Sequence, residues 1–360
     1  MRKRCLILLV CLLLPWGASA QTRLYTFAED AAPETLRQAD YAVNDQEVVI
    51  SLTFGGDCTL GGETAYASSS RSYASRVTQN GMDWPFQQLQ TLFAADDATI
   101  VNLEGVLSAS REGKVKKKFN FLGDPSLAGV LTAGSVEGVT LANNHTLDYG
   151  QRGYEDTKAA LLDAAVAYVD ETTLMIVEKD GQRVGFTASV FSTGSGIRER
   201  LARQVALLRD LGCGAVVHLM HAGTEYKARY SARQKGIAQA AIQAGADLVV
   251  GSHPHVVQGA EVYDGVPVVY SLGNLSFGGN ANPRDYDMLL LSVRIHLSGG
   301  EKKKLEWTLW PGRVSSEKGR NNFQPVLLDG EEARRVMEKV QKRSDTPLEP
   351  YQEGLGAVQK

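Results

Sequence analysis

The chain reads as an α/β protein with mixed sheets, and three features of the sequence predict this. Short β-branched runs alternate with segments of helical spacing. Two Asp-Gly dipeptides, Asp180-Gly181 and Asp264-Gly265, set hairpins among them. Ligand-type side chains follow one buried run after another, as expected where the carboxyl ends of several strands share an edge.

Residues 1–20 combine a basic head (Arg2, Lys3, Arg4), an apolar run from Cys5 to Trp16 and a small-residue end, Ala18-Ser19-Ala20. This is the pattern of a secretory signal peptide. Cleavage after Ala20, or retention of the leader as an anchor, is therefore expected, with the remainder exported to an extracytoplasmic location. Three of the 38 Lys and Arg lie in that leader and none of the 41 acids does, so 35 basic groups remain against 41 acidic ones, a charge near −6. That balance argues against general nucleic-acid binding. Only Cys58 and Cys213 lie beyond the leader. Stability must then come from a core rather than a disulfide framework.

Residues 21–45 are polar, carry Pro33 and show no sustained period, which suggests a tether ahead of a domain spanning 46–343. Glu47 to Gly55 is dense enough in apolar residues for a buried strand, and Asp57 emerges at its carboxyl end. Pro85 to Ala95 has helical spacing. Ala98 to Leu103 is a second buried strand and delivers Asn102 and Glu104. Leu127 to Ala133 reads as a helix, and Val136 to Leu141 as a strand that stops at Asn143-Asn144-His145. Tyr154 to Ala165, Arg198 to Leu211 and Ser231 to Ala244 are further helices. Val216 to Met220 is a strand that releases His221, and Ala246 to Val250 is one that breaks into His253-Pro254-His255. In extended backbone, residues two apart point the same way, so the last two imidazoles are expected to converge. Met288 to Ile295 and Leu305 to Trp310 are late strands, Glu331 to Lys342 is a helix, and 344–360 is a polar tail.

Asp57, Glu104, Asn144 with His145, His221, and His253 with His255 thus come from five segments and face one edge. Two carboxylates, an amide and several imidazoles suit one or two neighbouring divalent transition metal ions such as Mn, Fe or Zn, with a carboxylate able to bridge a pair. Such ions acidify water and clamp the oxygens of a phosphoryl or acyl group, which points to hydrolysis.

The segments GGDCTLGG, VNLEG, LANNHTLDYG, HAGTEY and GADLVVGSHPHVVQ, followed by VYDGVPVVYSLGN, resemble the CapA capsule-synthesis proteins associated with poly-γ-glutamate. These in turn are similar to calcineurin-like metallophosphoesterases. The resemblance runs from about Glu47 to about Lys342. It implies two mixed β-sheets packed as a sandwich with helices outside and a dinuclear metal site at one edge. It also implies roles for particular residues. Asp57 would be the first metal aspartate, Glu104 the bridging acid, Asn144 the amide ligand, His145 the general acid, and His221, His253 and His255 the late ligands. The implied partners are poly-γ-glutamate or an envelope phosphoester or amide, with capsule-export membrane proteins. The competing implication is a non-catalytic envelope subunit that binds or guides the polymer. Thr59 departs from the phosphoesterase pattern, standing where a metal histidine is usual, and Ala222 replaces the tryptophan common beside His221.

His145 needs an orienting partner, and Asp148 stands three residues on. The same aspartate also suits an N-cap for the helix near Gly150. Glu225 is expected to hold the His221 ring or else to be a solvated loop acid. His218 is expected to be structural, facing away from His221, His296 to lie at the surface, and Cys58 to pack. The lysine runs at Lys114 to Lys118 and Lys302 to Lys304 read as solvated faces or as guides for a polyanion.

Overall fold

The computed structural model describes residues 12–13, 22–32, 34, 36, 46–191 and 195–359. The leader reading therefore falls, apart from Leu12–Leu13, outside the described residues. After a two-residue strand, Leu12–Leu13, the strands in chain order begin with β1 (Thr22–Ala28), β2 (Val48–Thr59), β3 (Ala98–Leu103), β4 (Val106–Leu107), β5 (Leu122–Gly123), β6 (Gly138–Thr140) and β7 (Ala167–Val169). Next come β8 (Thr173–Lys179), β9 (Gln182–Val190), β10 (Cys213–His221), β11 (Leu248–Ser252), β12 (Ala260–Tyr263), β13 (Val266–Val269) and β14 (Asn274–Phe277). The last are β15 (Asp287–Ser298), β16 (Glu301–Arg313), β17 (Val326–Leu327) and β18 (Ala357–Gln359). The α-helices that the described residues define in full are α1 (Tyr73–Asn80), α2 (Gln90–Phe93), α3 (Gly129–Ala133), α4 (Gly150–Asp163), α5 (Ser195–Asp210), α6 (Ala232–Gln243) and α7 (Gly330–Arg343).

One sheet runs β1-β8-β9-β10-β11-β13-β12, with Leu12–Leu13 beside β1. The other runs β17-β16-β15-β2-β3-β6-β7, with β14 against the end of β2 and β18 against β16. Both are mixed. Strands β9, β10, β11 and β13 are parallel in the first, and β2, β3, β6 and β7 in the second. Antiparallel strands complete each sheet.

The two-residue alternation of side chains explains the layering. Ile50, Leu52 and Phe54 of β2 and Ile100 of β3 point inward and pack with Phe186, Val217, Leu219 and Val250 of the facing sheet. Phe54 and Phe186 meet at 6.4 Å between ring centroids. Val101 and Leu103, one step out of phase, point outward and bury Phe86, Phe93, Leu131 and Leu161. On the other side Met220 and Val249 pack with Leu201 of α5 and Ile237 of α6. Each such burial stabilises by roughly 1.5–3 kcal/mol.

Three expectations are corrected. Residues 22–28, read as tether, form β1, which pairs with β8 along its whole length and buries Leu24, Tyr25 and Phe27. The alternation there is short and flanked by polar residues, so composition hid it. Within the polar tail, Ala357–Gln359 pairs with Trp307–Leu309. Between Pro85 and Ala95 only Gln90–Phe93 is α-helical, and a run of turns buries Phe86 and Leu89 before it.

Candidate metal centre

The centre sits where the parallel strands of both sheets end. At the end of β2 the pairing slips between Phe54 and Asp57, and a glycine there lets two backbones crowd together. A Cβ on Gly56 would lie 1.9 Å from the Gly273 carbonyl oxygen, while Asp57 N donates to that oxygen at 2.9 Å. The close approach puts Asn274 of β14 on one side of Asp57 and Asn102 of β3 on the other. His221 ends β10 on the inward phase of Val217 and Leu219, opposite Ser252.

After β11 the chain departs from the expected extended path. His253 has φ +100° and His255 φ +54°, conformations that cost of order 1–3 kcal/mol each and persist only where the surroundings enforce them. Their rings nonetheless approach to 5.9 Å between centroids. The sequence spacing was informative, but a left-handed turn rather than strand alternation brings the rings together.

Two groups of buried donors result, Asp57 with Glu104 and His255, and Glu104 with His221 and His253. Within each, the ligand atoms all lie within 4.8 Å of one another. Glu104 belongs to both. Its residue is 0% exposed, yet neither carboxylate oxygen has a hydrogen-bond partner. A buried carboxylate without partners is costly, and a cation is the natural remedy. The imidazoles fit as well. His255 Nδ1 lies 2.8 Å from Asn274 Oδ1 and 3.2 Å from Asp57 Oδ2, so it carries the hydrogen, and Nε2 is turned towards Glu104 at 3.8 Å. His221 Nε2 and His253 Nδ1 face each other at 3.1 Å, and Asn144 Oδ1 is 2.7 Å from the same His221 nitrogen. The residues present therefore suit one or two divalent ions.

Burial pushes the Asp57 carboxyl up, but the His255 hydrogen bond, the His255 and His221 charges and the Asn102 amide outweigh it and leave it at about 2. Burial raises Glu104 to about 8. For His255 burial works downward, yet Glu104, Asp57 and Asn274 bring it up to about 10. Burial takes His253 down to about 4 and holds His221 well below its usual value.

His145 lies beside this cluster, with Nε2 3.6 Å from Glu104 Oε1 and its ring stacked on Phe121 at 4.2 Å. Its Nδ1 is 2.7 Å from Asp148 Oδ2, which also accepts from Phe121 N at 2.7 Å. Burial holds the His145 imidazole below its ordinary value although the Asp148 carboxylate opposes this. Asp148 is thus the partner of His145 and not an N-cap, since α4 starts after Tyr149 with no side-chain cap.

Glu225 does not hold His221. It is exposed, and His221 Nδ1 instead meets Asn102 Nδ2 at 3.2 Å and Ser252 Oγ at 3.1 Å. Thr59 donates to the Glu104 backbone carbonyl at 2.8 Å. His218 faces away, between Thr187 and Ser189. His296 pairs with Glu47 and Glu306 near the surface. Cys58 is buried in the outer layer, and both it and Cys213 are free.

Sequence reasoning missed three contributors. Asn102 donates to Asp57 Oδ1 at 2.8 Å and touches His221, so it braces one member of each group. Asn274 orients His255. Lys117, within a run read as solvated, donates to the Asn144 carbonyl at 2.8 Å and pairs with Asp148. Asn102 and Asn274 carried a usable signal, since each stands at a strand terminus facing Asp57. Lys117 carried none among its neighbouring lysines.

A family model described as bacterial capsule synthesis protein PGA_cap matches residues 51–278. The capsule biosynthesis protein CapA of Bacillus anthracis is 29% identical over 254 residues, 63% of this chain and 60% of that one. The PGA biosynthesis protein CapA of Bacillus subtilis is 28% identical over 283 residues, 72% of this chain and 71% of that one. A probable polyglutamine synthesis accessory protein of Mycobacterium tuberculosis is 26% identical over 299 residues, covering 72% and 77%. The match to the B. anthracis relative spans less than two thirds of that protein's length. A solved structure from Thermus thermophilus covers 74% of this chain and 100% of its own at 11% identity and a TM-score of 0.41, too distant to bear on the fold. The matched span holds every residue of the two donor groups together with Asn144, His145 and Asp148, and the chain belongs to the bacterial capsule synthesis protein PGA_cap family.

Proposed function

We propose that this chain is an exported component of capsule or poly-γ-glutamate synthesis that carries a metal-dependent hydrolase site. The observation behind this is Glu104, fully buried, shared by two donor groups and without a hydrogen-bond partner on either carboxylate oxygen. Asp57, Glu104 and His255 would hold one ion, and Glu104, Asn144, His221 and His253 a second, with Mn, Fe or Zn suited to that donor set. A bound divalent ion supplies Lewis acidity that polarises an ester or amide oxygen and acidifies water. His145, with Nδ1–H held by Asp148, would take on Nε2 the proton that the attacking water releases and pass it to the leaving nitrogen or oxygen. Asp148 holds the opposite ring nitrogen, and Lys117 steadies Asp148. The names of the relatives favour a glutamate polymer as substrate or cargo, and export rests on the leader-like start.

The test is metal analysis of the protein followed by a hydrolysis screen over phosphoesters and γ-glutamyl amides. His145→Ala is expected to lower turnover about 10²- to 10⁴-fold with metal content retained. A second reading, a non-catalytic subunit that guides the polymer, is favoured by Thr59, whose hydroxyl is spent on a backbone carbonyl where related enzymes place a ligand. Capsule output unchanged by His145→Ala, with no hydrolysis by the parent protein, would select that reading.

A further inference from the structure

A cavity of about 710 Å³ reaches the metal centre, with the buried His145 and His255 in its wall. That size falls within the roughly 300–1,000 Å³ range of ligand sites. Two arginines also line it, Arg71 just before α1 and Arg111 in the loop after β4. Both are exposed, and among the described residues neither guanidinium has an ion-pair or hydrogen-bond partner. Arg152, Arg229 and Arg320 face carboxylates, whereas exposed Arg334 on α7, like Arg71 and Arg111, faces none, so it is their position on the cavity wall that distinguishes these two.

Three acids line the same cavity, Glu63, Asp124 and Glu225. Asp124 Oδ1 accepts from Ser126 N at 2.9 Å and Ser126 Oγ at 2.6 Å, capping its own turn. Glu225 is exposed, and the Arg284 guanidinium lies over the neighbouring Tyr226 ring at 4.7 Å from its centroid. The two guanidinium groups thus share the cavity wall with the carboxylates of Glu63, Asp124 and Glu225, and none of the three acids is ion-paired to either arginine. Tyr66 and Phe119, 67% and 40% exposed, give the wall apolar faces for the methylene groups of a chain.

We infer that Arg71 and Arg111 are the specificity determinants of this cavity and bind carboxylates of a γ-linked glutamate chain whose reacting bond lies at His145 and His255. A guanidinium presents two parallel donors that match a carboxylate. The inference rests on the polymer reading above and assigns its recognition to two residues outside the metal centre.

Binding of a γ-linked glutamate tetramer to the metal-loaded full chain, measured by calorimetry, tests it against a tetramer whose free carboxylates are amidated. Arg71→Gln and Arg111→Gln are each expected to weaken binding of the anionic tetramer about 10- to 100-fold. Metal content and melting temperature should stay at parent values, and Arg334→Gln on α7 should change nothing. The parent should bind the amidated tetramer no better than the variants bind the anionic one. Equal binding of the anionic tetramer by parent and variants, equal binding of the two tetramers by the parent, or no binding by the parent would each overturn the assignment. Arginine-dependent binding without turnover would uphold the recognition role of the two arginines while removing the hydrolase reading and, with it, a reacting bond at His145 and His255. Turnover indifferent to both arginines would do the reverse.

Discussion

Asn274 shows how much of the centre depends on residues that would touch no ion. Its Oδ1 fixes the hydrogen on His255 Nδ1 at 2.8 Å and so turns Nε2 towards Glu104. Residues that orient metal histidines typically contribute 10- to 100-fold in affinity. Asn274→Ala is therefore expected to weaken metal binding about ten-fold, read by competition with a chelating dye, while the fold persists. His253→Ala removes a donor outright and should lower metal content with the melting curve still cooperative. A variant with full metal occupancy would contradict its place in the centre. At this scale the sequence was legible wherever a ligand-type residue follows a buried run, as with Asp57, Glu104 and His221. It was not legible where a contact depends on loop path. Glu225, four residues beyond His221, turns out to solvent, while Lys117, indistinguishable from Lys116 and Lys118 in sequence, reaches Asp148.

Between elements, Asp287 is the clearest tie. It opens β15 and binds α7 through both carboxylate oxygens, with Arg335 at 2.8 and 2.6 Å and Lys339 at 2.8 Å. Burial pushes its carboxyl up, but the hydrogen bonds and charges of Arg335 and Lys339 outweigh it and hold the group below 3.8. A carboxyl depressed in the folded state contributes stability that is complete above its unfolded value and fades as pH falls through the folded one. Asp287→Asn is accordingly expected to cost about 1–3 kcal/mol at pH 7, with the gap from the parent closing below about pH 4. Urea midpoints across that range measure it, and a gap independent of pH would show that the charge is not responsible. The elements themselves differ in how plainly they were written. β10 and β11 are apolar runs with no other reading. Strand β1 is seven residues within polar surroundings, and the positive φ of His253 and His255 has no marker in non-glycine residues.

For the whole molecule, the two sheets meet over one inner core and their parallel strands end at one edge, so ligands distant in sequence share a rigid frame. Alternating strands and helices made the α/β class readable, and the order of motifs made the sandwich expected. The strand order was not deducible, because it rests on pairings between strands distant in the chain, such as β2 with β15 and β1 with β8. Ions bound only by the folded state should stabilise it, by about 2.7 kcal/mol at a concentration one hundred times the dissociation constant. Chelation should therefore lower the melting temperature, and a chelator without effect would mean that no ion contributes to the frame.

The central claim is that Glu104 is the acid shared by two cation positions. Elemental analysis of the purified parent and of Glu104→Gln tests it directly. One or two equivalents of a divalent transition metal are expected in the parent, and a substantial loss in a variant that remains folded by circular dichroism. No bound or bindable transition metal in the parent, or unchanged metal content in Glu104→Gln, would contradict it.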